Sequence, residues 1–271
     1  MKSIYKKYAL DHGLKFSTDS NPIKSKTKCL AFLQTNREIK PVKLCGNDLP
    51  WVSSCTHLGN TVTSTKGKDI RSQDVKNKRA SFINRTNEIL QEFYFAHPAT
   101  RSKVINIQNT HFYGSVLWDL RSVEVTKLEK SWNVSVRRTF NLPWDTHCYL
   151  IEPFSNEPHI RTILAKRFVN FISAIRNSQK RTLRNLLKVV EFDTPSVTGR
   201  NLRNILLMTN VTDIRMLKPS DVKAKYCDIP SQEKYRVDVI REIVDIKDGQ
   251  LNVPGFNTEE LDLILKHVCS S

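Results

Sequence analysis

The spacing of apolar residues changes near residue 69. Beyond this point apolar positions recur every three or four residues, which is the period of an amphipathic helix. The first such stripe predicts a long helix that starts near Asp69 and must end before Pro98, because proline cannot continue a helix. Its apolar face consists of Phe82, Ile83, Thr86, Ile89, Leu90 and Phe93.

Further helical stripes follow as far as the end of the chain. The pattern predicts helices over residues 104–117, 125–140, 160–175, 183–190, 202–208 and 235–246. The last predicted helix begins at Asn257 and runs to Cys269. Glu260 follows Asn257 by three residues, so the two side chains can form a capping box at its start.

The first part of the chain has the pattern of short strands. Residues 29–33, 41–45, 51–52 and 58–62 are predicted strands, and Gly46-Asn47-Asp48 is a hairpin turn signal. Residues 3–12 are predicted as the end of a helix that stops at Gly13. The predicted fold class is α+β, a small antiparallel sheet followed by a mostly helical region. So few strands form a weak sheet, and we expect its edge to be exposed.

The distribution of charge indicates a polyanionic partner. The 271 residues include 43 Lys and Arg and 27 Asp and Glu, a net charge of +16. Residues 1–90 carry +10, residues 91–181 carry +6, and residues 182–271 carry no net charge. A positive field confined to the first two thirds suggests a polyanionic partner there, but solvated lysine faces account for the same composition equally well.

Cysteine usage and hydropathy limit the cellular compartments in which the chain is expected. The six cysteines include no C-x-x-C pair, which favours a reducing compartment over a disulfide scaffold. No apolar run approaches the roughly 20 residues of a membrane span, and the N-terminus has no signal-peptide pattern. We expect a protein of the nucleus or cytoplasm without membrane contact. His147-Cys148 and His267-x-Cys269 lack the spacing of zinc ligands, so neither a metal nor a cofactor is predicted.

An ordered series of short motifs spans nearly the whole chain. The most specific part is Ser25-Lys26-Thr27-Lys28-Cys29-Leu30, followed one hairpin later by His57-Leu58-Gly59. The later motifs are Tyr113-Gly114, Leu117-Trp118, Leu142-Pro143, Thr146-His147 and Gly255-Phe256. Together they resemble the C-terminal part of the reverse transcriptase of a LINE-type, non-LTR retrotransposon.

The resemblance implies three parts. Residues 1–62 would be the end of a polymerase palm with a primer-grip-like hairpin, residues 63–192 a helical thumb, and residues 193–271 a helical C-terminal region. Nucleotide transfer needs carboxylates that hold two metal ions, and in this family they include an Asp-Asp pair. The chain contains no such pair and resembles the family from a point after it. We therefore predict no polymerase activity for this chain alone, and the missing polymerase portion is a candidate partner.

The same resemblance assigns nucleic-acid binding to three places. The lysine-rich loop contributes Lys26 or Lys28 near a leaving pyrophosphate, and the hairpin over residues 49–59 contributes His57 beside a primer end. The helix that starts near residue 69 would follow an RNA–DNA hybrid through phosphate contacts, which carry no sequence information. Its candidate residues are Lys68, Arg71, Lys78 and Arg85.

Each candidate also has a structural interpretation. The lysines can belong to a solvated loop, the helix cations to a solvated face, and the hairpin can be an ordinary edge hairpin with Trp51 and Leu58 in the core. Arg137-Arg138 and Lys166-Arg167 are weaker binding candidates. Aromatic residues interleave poorly with basic ones, so base stacking is not predicted.

Two hypotheses for function follow. The first is a non-catalytic fragment of an RNA-directed DNA polymerase that binds RNA or an RNA–DNA hybrid without sequence specificity. The alternative is a degenerate or domesticated retroelement product that acts as a protein interaction module without nucleic-acid function. A steep loss of affinity with increasing salt is expected only under the first hypothesis.

Overall fold

The computed structural model of the chain describes residues 11–13, 18, 21, 24–31, 41–44, 46–64, 72–107, 112–155, 158–192, 195–226, 233–247 and 257–270. The chain has the α+β composition predicted from its sequence, with two small antiparallel hairpins and otherwise helices. Residues 1–74 and residues 75–271 form two compact units. The division into palm, thumb and C-terminal parts stays a prediction.

The first unit contains two separate two-stranded hairpins. Strand β1 (Lys43–Leu44) pairs with β2 (Asn47–Asp48), and β3 (Ser54–His57) pairs with β4 (Asn60–Thr63), both antiparallel. Cys29 adds a single parallel bridge to the segment after β2. Leu30 and Ala31, predicted in the same strand, are not in one, and residues 32–33 lie outside the described part of the chain.

The strand boundaries differ from those predicted. Strand β3 was not predicted, and Val52, predicted in a strand, lies outside one. Asn47 and Asp48, expected in a turn, pair with β1. Of the three predicted turn residues, only Gly46, with a φ of 87°, lies between the two strands. Leu58 and Gly59, both predicted in a strand, form the turn between β3 and β4 with φ values of 48° and 72°. Positive φ at both positions is typical of a type I′ turn, whose twist matches that of the paired strands.

The predicted first helix lies largely outside the described residues. Asp11 is helical, and Gly13 has a φ of 64°. This left-handed conformation is the one expected where a helix stops. The position of Gly13 as a helix stop is therefore confirmed, while residues 3–10 of the predicted helix are outside the described ranges.

Ten helices are present in the described part of the chain. They are α1 (Ser72–Glu92), α2 (Pro98–Ile107), α3 (Val123–Thr139), α4 (Cys148–Ser155), α5 (Ile160–Arg176), α6 (Arg181–Phe192), α7 (Val197–Thr209), α8 (Pro219–Tyr226), α9 (Lys234–Lys247) and α10 (Thr258–Ser270). The helices predicted at the positions of α1, α3, α5, α6, α7, α9 and α10 are confirmed. Helices α4 and α8 were not predicted, because eight residues show little periodicity. None of the described helices is long and apolar enough to cross a membrane.

The helix predicted over residues 104–117 was placed wrongly. Helix α2 begins at Pro98 and ends at Ile107, and residues 115–117 form a separate 3-10 turn. Proline fits the first position of a helix, because the N–H that it lacks has no partner within the helix there. Pro98 therefore starts α2 in addition to lying beyond the end of α1.

The second unit is built around the apolar faces of its helices. On α1, Phe82 stacks on Trp132 of α3 with ring centroids 5.5 Å apart. Helix α5 contacts α3, α6 and α8 as well as the 3-10 turn, so it is central to the core. Phe93, predicted on the apolar face of α1, lies just past the end of that helix. The buried side chains of α3 and α5 include Val125, Leu128, Trp132, Ile160, Leu164, Phe168 and Ile172.

Helix ends are closed by local hydrogen bonds. The Glu260 N–H donates to Oδ1 of Asn257 at 2.8 Å, and the Asn257 N–H donates to Oε2 of Glu260 at 3.1 Å, which confirms the predicted capping box. After α3, Asn141 adopts a φ of 52°, and the Leu142 N–H donates to the Arg137 carbonyl at 2.8 Å. This closure is of the Schellman type and sets the direction in which the chain leaves α3.

Candidate nucleic-acid interface

The predicted lysines lie on an exposed loop that a buried serine holds in place. Lys26 and Lys28 are exposed, whereas Ser25 is buried and its hydroxyl donates to the Thr27 carbonyl at 2.6 Å. The backbone of Cys29 then bonds to the segment that follows β2. Both ammonium groups are therefore accessible to a polyanion, on a loop whose end at Cys29 is bonded to another segment.

The hairpin of β3 and β4 presents polar and apolar side chains to solvent. His57 is exposed at the end of β3. Trp51 and Leu58 are 38 % and 71 % exposed, so the interpretation that places them in the core is wrong. Leu58 is at the tip because it belongs to the turn. Within this unit the Thr61 N–H donates to Oδ1 of Asp74 at 2.7 Å, which anchors β4.

The predicted cations of the long helix differ in how their charge is compensated. Lys68 and Arg71 lie outside the described residues. Lys78 and Arg85 are seven residues apart on α1 and so lie within about 20° of each other around the helix. Nη1 of Arg85 is 2.7 Å from Oε2 of Glu88, an exposed ion pair that offsets part of its charge. Lys78 forms no ion pair with any residue that the structure describes.

A further cationic surface lies in the second unit, between α1 and α3. The two helices border a groove with a volume of about 290 Å³. Nε of Arg79 donates to the Ser131 hydroxyl at 2.7 Å, and Nη1 of Arg138 donates to Oδ1 of Asn87 at 2.6 Å. Both acceptors are neutral, so they orient the two guanidinium groups without offsetting their charge. Lys130 adds a third cation to the lining.

Part of the lining of this groove is apolar. Phe82 and Val134 line it, and no carboxylate is among its described lining residues. A charge beside an apolar wall is screened less than a charge in open water, so an anion would be attracted more strongly here. A hydrogen bond from Lys127 at 2.9 Å lowers the pKa of the Glu124 carboxyl, and the charge of Arg79 lowers it further.

No pattern in the sequence indicated that the groove residues lie together. Arg137-Arg138 was one of the two weaker candidates for nucleic-acid binding. Arg138 contacts α1, whereas Arg137 donates to the backbone just before α4. The other weaker pair, Lys166-Arg167, is half-buried on α5. Arg79 and Lys130 have no local feature that distinguishes them from other helix cations. Only the packing of α3 against α1 brings them together.

The histidine and cysteine side chains near α4 have structural contacts. Within the described ranges, no three His, Cys, Asp or Glu side chains are arranged to hold a metal ion. The ring of His147 stacks on Tyr149 with centroids 5.3 Å apart, and the His147 N–H donates to the Cys269 carbonyl at 3.1 Å. Burial raises the pKa of the Cys269 thiol. These residues join the end of α10 to the start of α4.

The chain matches no protein-family model, no curated protein and no solved structure.

Proposed function

We propose that this chain binds the sugar–phosphate backbone of RNA or of an RNA–DNA hybrid through the cationic surface of α1 and α3. The observation that carries the proposal is the convergence of Arg79, Lys130 and Arg138 on one groove whose described lining has no carboxylate. Lys and Arg contacts to phosphates supply affinity without sequence information. The net charge of +16 supports the same class of partner.

The motif series supports a proposed origin in a LINE-type reverse transcriptase, in which a helical thumb holds the primer–template. We assign binding and not nucleotide transfer to the chain, because two-metal chemistry needs paired carboxylates and the sequence contains no Asp-Asp pair. The chain would then be a non-catalytic part of an RNA-directed DNA polymerase. Lys26, Lys28 and His57 of the first unit are proposed to add backbone contacts.

A salt titration tests the proposal. A fluorescently labelled RNA–DNA hybrid is titrated with the full chain at several salt concentrations, and the logarithm of affinity is plotted against the logarithm of salt concentration. We expect a steep negative slope, since each neutralised phosphate contributes roughly −0.7 to −0.9 through counterion release. Absence of binding at low salt, or affinity that is insensitive to salt, would reject the proposal.

Charge reversal tests the surface. The triple variant Lys78→Glu, Arg85→Glu, Lys130→Glu should lose most of the affinity and show a shallower salt slope, because three cations of this surface become anions. Arg79 and Arg138 are kept, since their hydrogen bonds join α1 to α3. A matched control makes the same change in net charge on exposed lysines elsewhere. The control substitutions are Lys180→Glu, Lys188→Glu and Lys266→Glu. Equal losses in the two triple variants would show that total charge, and not this surface, governs binding.

A second candidate function is protein interaction by a degenerate or domesticated retroelement product. The observation that favours it is α6, where Leu183, Leu186 and Val189 are exposed on a helix whose sequence is strongly amphipathic. Contiguous exposed apolar side chains are typical of protein-binding surfaces. Under this alternative the hybrid binds weakly at every salt concentration.

A further inference from the structure

Three consecutive aromatic side chains follow α1 and stay in contact with solvent. Phe93, Tyr94 and Phe95 are 37 %, 76 % and 74 % exposed. The rings of Tyr94 and Phe95 lie edge to face with centroids 5.6 Å apart. An exposed group of large apolar side chains marks a site of recognition more often than a single exposed residue does.

A hydrogen-bonded turn holds these rings. The Phe93 N–H donates to the Ile89 carbonyl at 2.9 Å, and the Ala96 N–H donates to the Phe93 carbonyl at 3.0 Å. The carbonyl of His97 then accepts hydrogen bonds from the first turn of α2. The rings are therefore carried by a short, ordered connection between two helices, and little backbone ordering is needed when a ligand binds them.

The aromatic turn lies beyond one end of the cationic groove. The contacts between α1 and α3 occur in the same order along both helices, so the helices run parallel. These contacts are Arg79–Ser131, Thr86–Ser135 and Asn87–Arg138. Phe93 follows Asn87 by six residues, which is about 9 Å along the helix axis. A strand that runs along the groove toward Arg138 therefore approaches the exposed rings.

We propose that Tyr94 and Phe95 stack on unpaired bases of a nucleic-acid strand whose phosphates contact the groove cations. This inference rests on the proposed function and adds the class of ligand, namely a nucleic acid with a single-stranded segment and not a fully paired duplex. A cationic track beside exposed aromatic rings is the combination that single-strand binding proteins use. Such stacking tolerates any sequence, because every base has a π face.

Charge favours a nucleic acid over a protein segment at this place. The groove contributes Arg79, Lys130 and Arg138, without a carboxylate among its described lining residues. Glu92 is the carboxylate nearest to the rings in sequence. It follows Asn87 by five residues and so lies about 140° from it around the helix, away from the side of α1 that contacts α3. A polyanionic strand that runs along the groove therefore contacts the cations before it reaches the rings.

The experiment compares two ligands that share one duplex. The full chain is titrated with a blunt RNA–DNA hybrid and with the same hybrid carrying a single-stranded overhang, which contains a fluorescent adenine analogue whose emission reports stacking. We expect tighter binding of the overhang ligand and a change in emission on binding. The double variant Tyr94→Ala, Phe95→Ala should lose the emission change and at least about fivefold in overhang affinity, with blunt-hybrid affinity unchanged.

Two controls accompany the double variant. Tyr235→Ala removes a ring on α9 that is 76 % exposed, the same fraction as Tyr94, and should leave overhang affinity unchanged. Tyr94→Phe keeps the ring and should retain the affinity. Circular dichroism establishes that each variant is folded.

The possible outcomes separate the two proposals. Equal binding of both ligands by the unaltered chain overturns the stacking inference and leaves the proposed function in place. Failure to bind either ligand overturns both proposals. A double variant that weakens binding to both ligands equally also overturns the inference, because the rings would then contact the duplex or support the fold.

Discussion

The side-chain amide of Asn201 donates a hydrogen bond to the carbonyl of Trp118 at 2.7 Å, and both residues are buried. The same side chain accepts from the Leu120 N–H at 3.0 Å through its Oδ1. One residue of α7 therefore satisfies two backbone groups of the segment before α3. Buried backbone groups need such partners, because leaving them unpaired costs free energy.

Removing this amide should strongly destabilise the fold. Asn201→Ala removes both of these buried hydrogen bonds, at about 1–3 kcal/mol each, so we expect the free energy of unfolding to fall by about 2–6 kcal/mol. Urea denaturation followed by circular dichroism measures the change. The control is Asn170→Ala at an exposed position of α5, which should stay within about 0.5 kcal/mol of the unaltered chain. Similar effects of both substitutions would contradict the bridging role.

The packing of Phe82 on Trp132 predicts a large difference between two phenylalanines. Phe82→Ala opens a cavity in the core and should lower the free energy of unfolding by about 3–5 kcal/mol. Phe95→Ala removes an exposed ring and should change it by no more than about 0.5 kcal/mol. Thermal and urea unfolding of the two variants provide the test. Comparable losses would mean that Phe82 does not pack as the structure shows.

His159 should make stability depend on pH. Its Nδ1 accepts the Arg161 N–H at 3.3 Å at the start of α5, which requires that this nitrogen carry no proton. Burial lowers the pKa of His159 from its usual 6.5, and this outweighs the opposite effect of Glu129, whose Oε1 is 3.6 Å from Nε2. The unfolded chain therefore takes up a proton at a higher pH than the folded chain. The free energy of unfolding falls as pH drops below about 6.5 and levels off below the folded pKa.

The variant His159→Asn isolates this contribution. Asparagine can cap α5 but does not titrate, so the variant should lose less stability than the unaltered chain between about pH 7.5 and about pH 5.5. Urea midpoints at the two pH values give the comparison, and contributions from other titrating groups cancel in the difference. If the unaltered chain loses no more than the variant, the linkage to His159 is refuted.

The backbone amides of β3 and β4 should exchange with solvent faster than those of α5. A two-stranded hairpin is marginally stable without further packing, and most β3 side chains are exposed. Helix α5 instead buries Leu164, Phe168 and Ile172. Hydrogen exchange followed by mass spectrometry reports both segments in one experiment. Equal protection would count against the exposed sheet edge expected from the sequence.

Local sequence was sufficient to predict most helices and their caps. The apolar stripe of α3 repeats at the helical period, so all of its predicted face is buried. The reciprocal cap of Asn257 and Glu260 needs only residues three apart in the chain. The hairpins were harder to predict, because a shift of one or two residues changes which side chains form the turn. Leu58 accordingly lies at an exposed tip although its apolar character favoured a strand.

By itself the sequence determined the helical faces, the positive charge and its concentration in the first two thirds of the chain, because these depend on composition and on near neighbours. The tertiary structure alone decided which cations share a surface. Arg137 and Arg138 are adjacent in sequence, yet one bonds to the backbone before α4 and the other contacts α1. The side on which each guanidinium group lies is set by the packing of α3 against distant elements, and no local pattern encodes that packing.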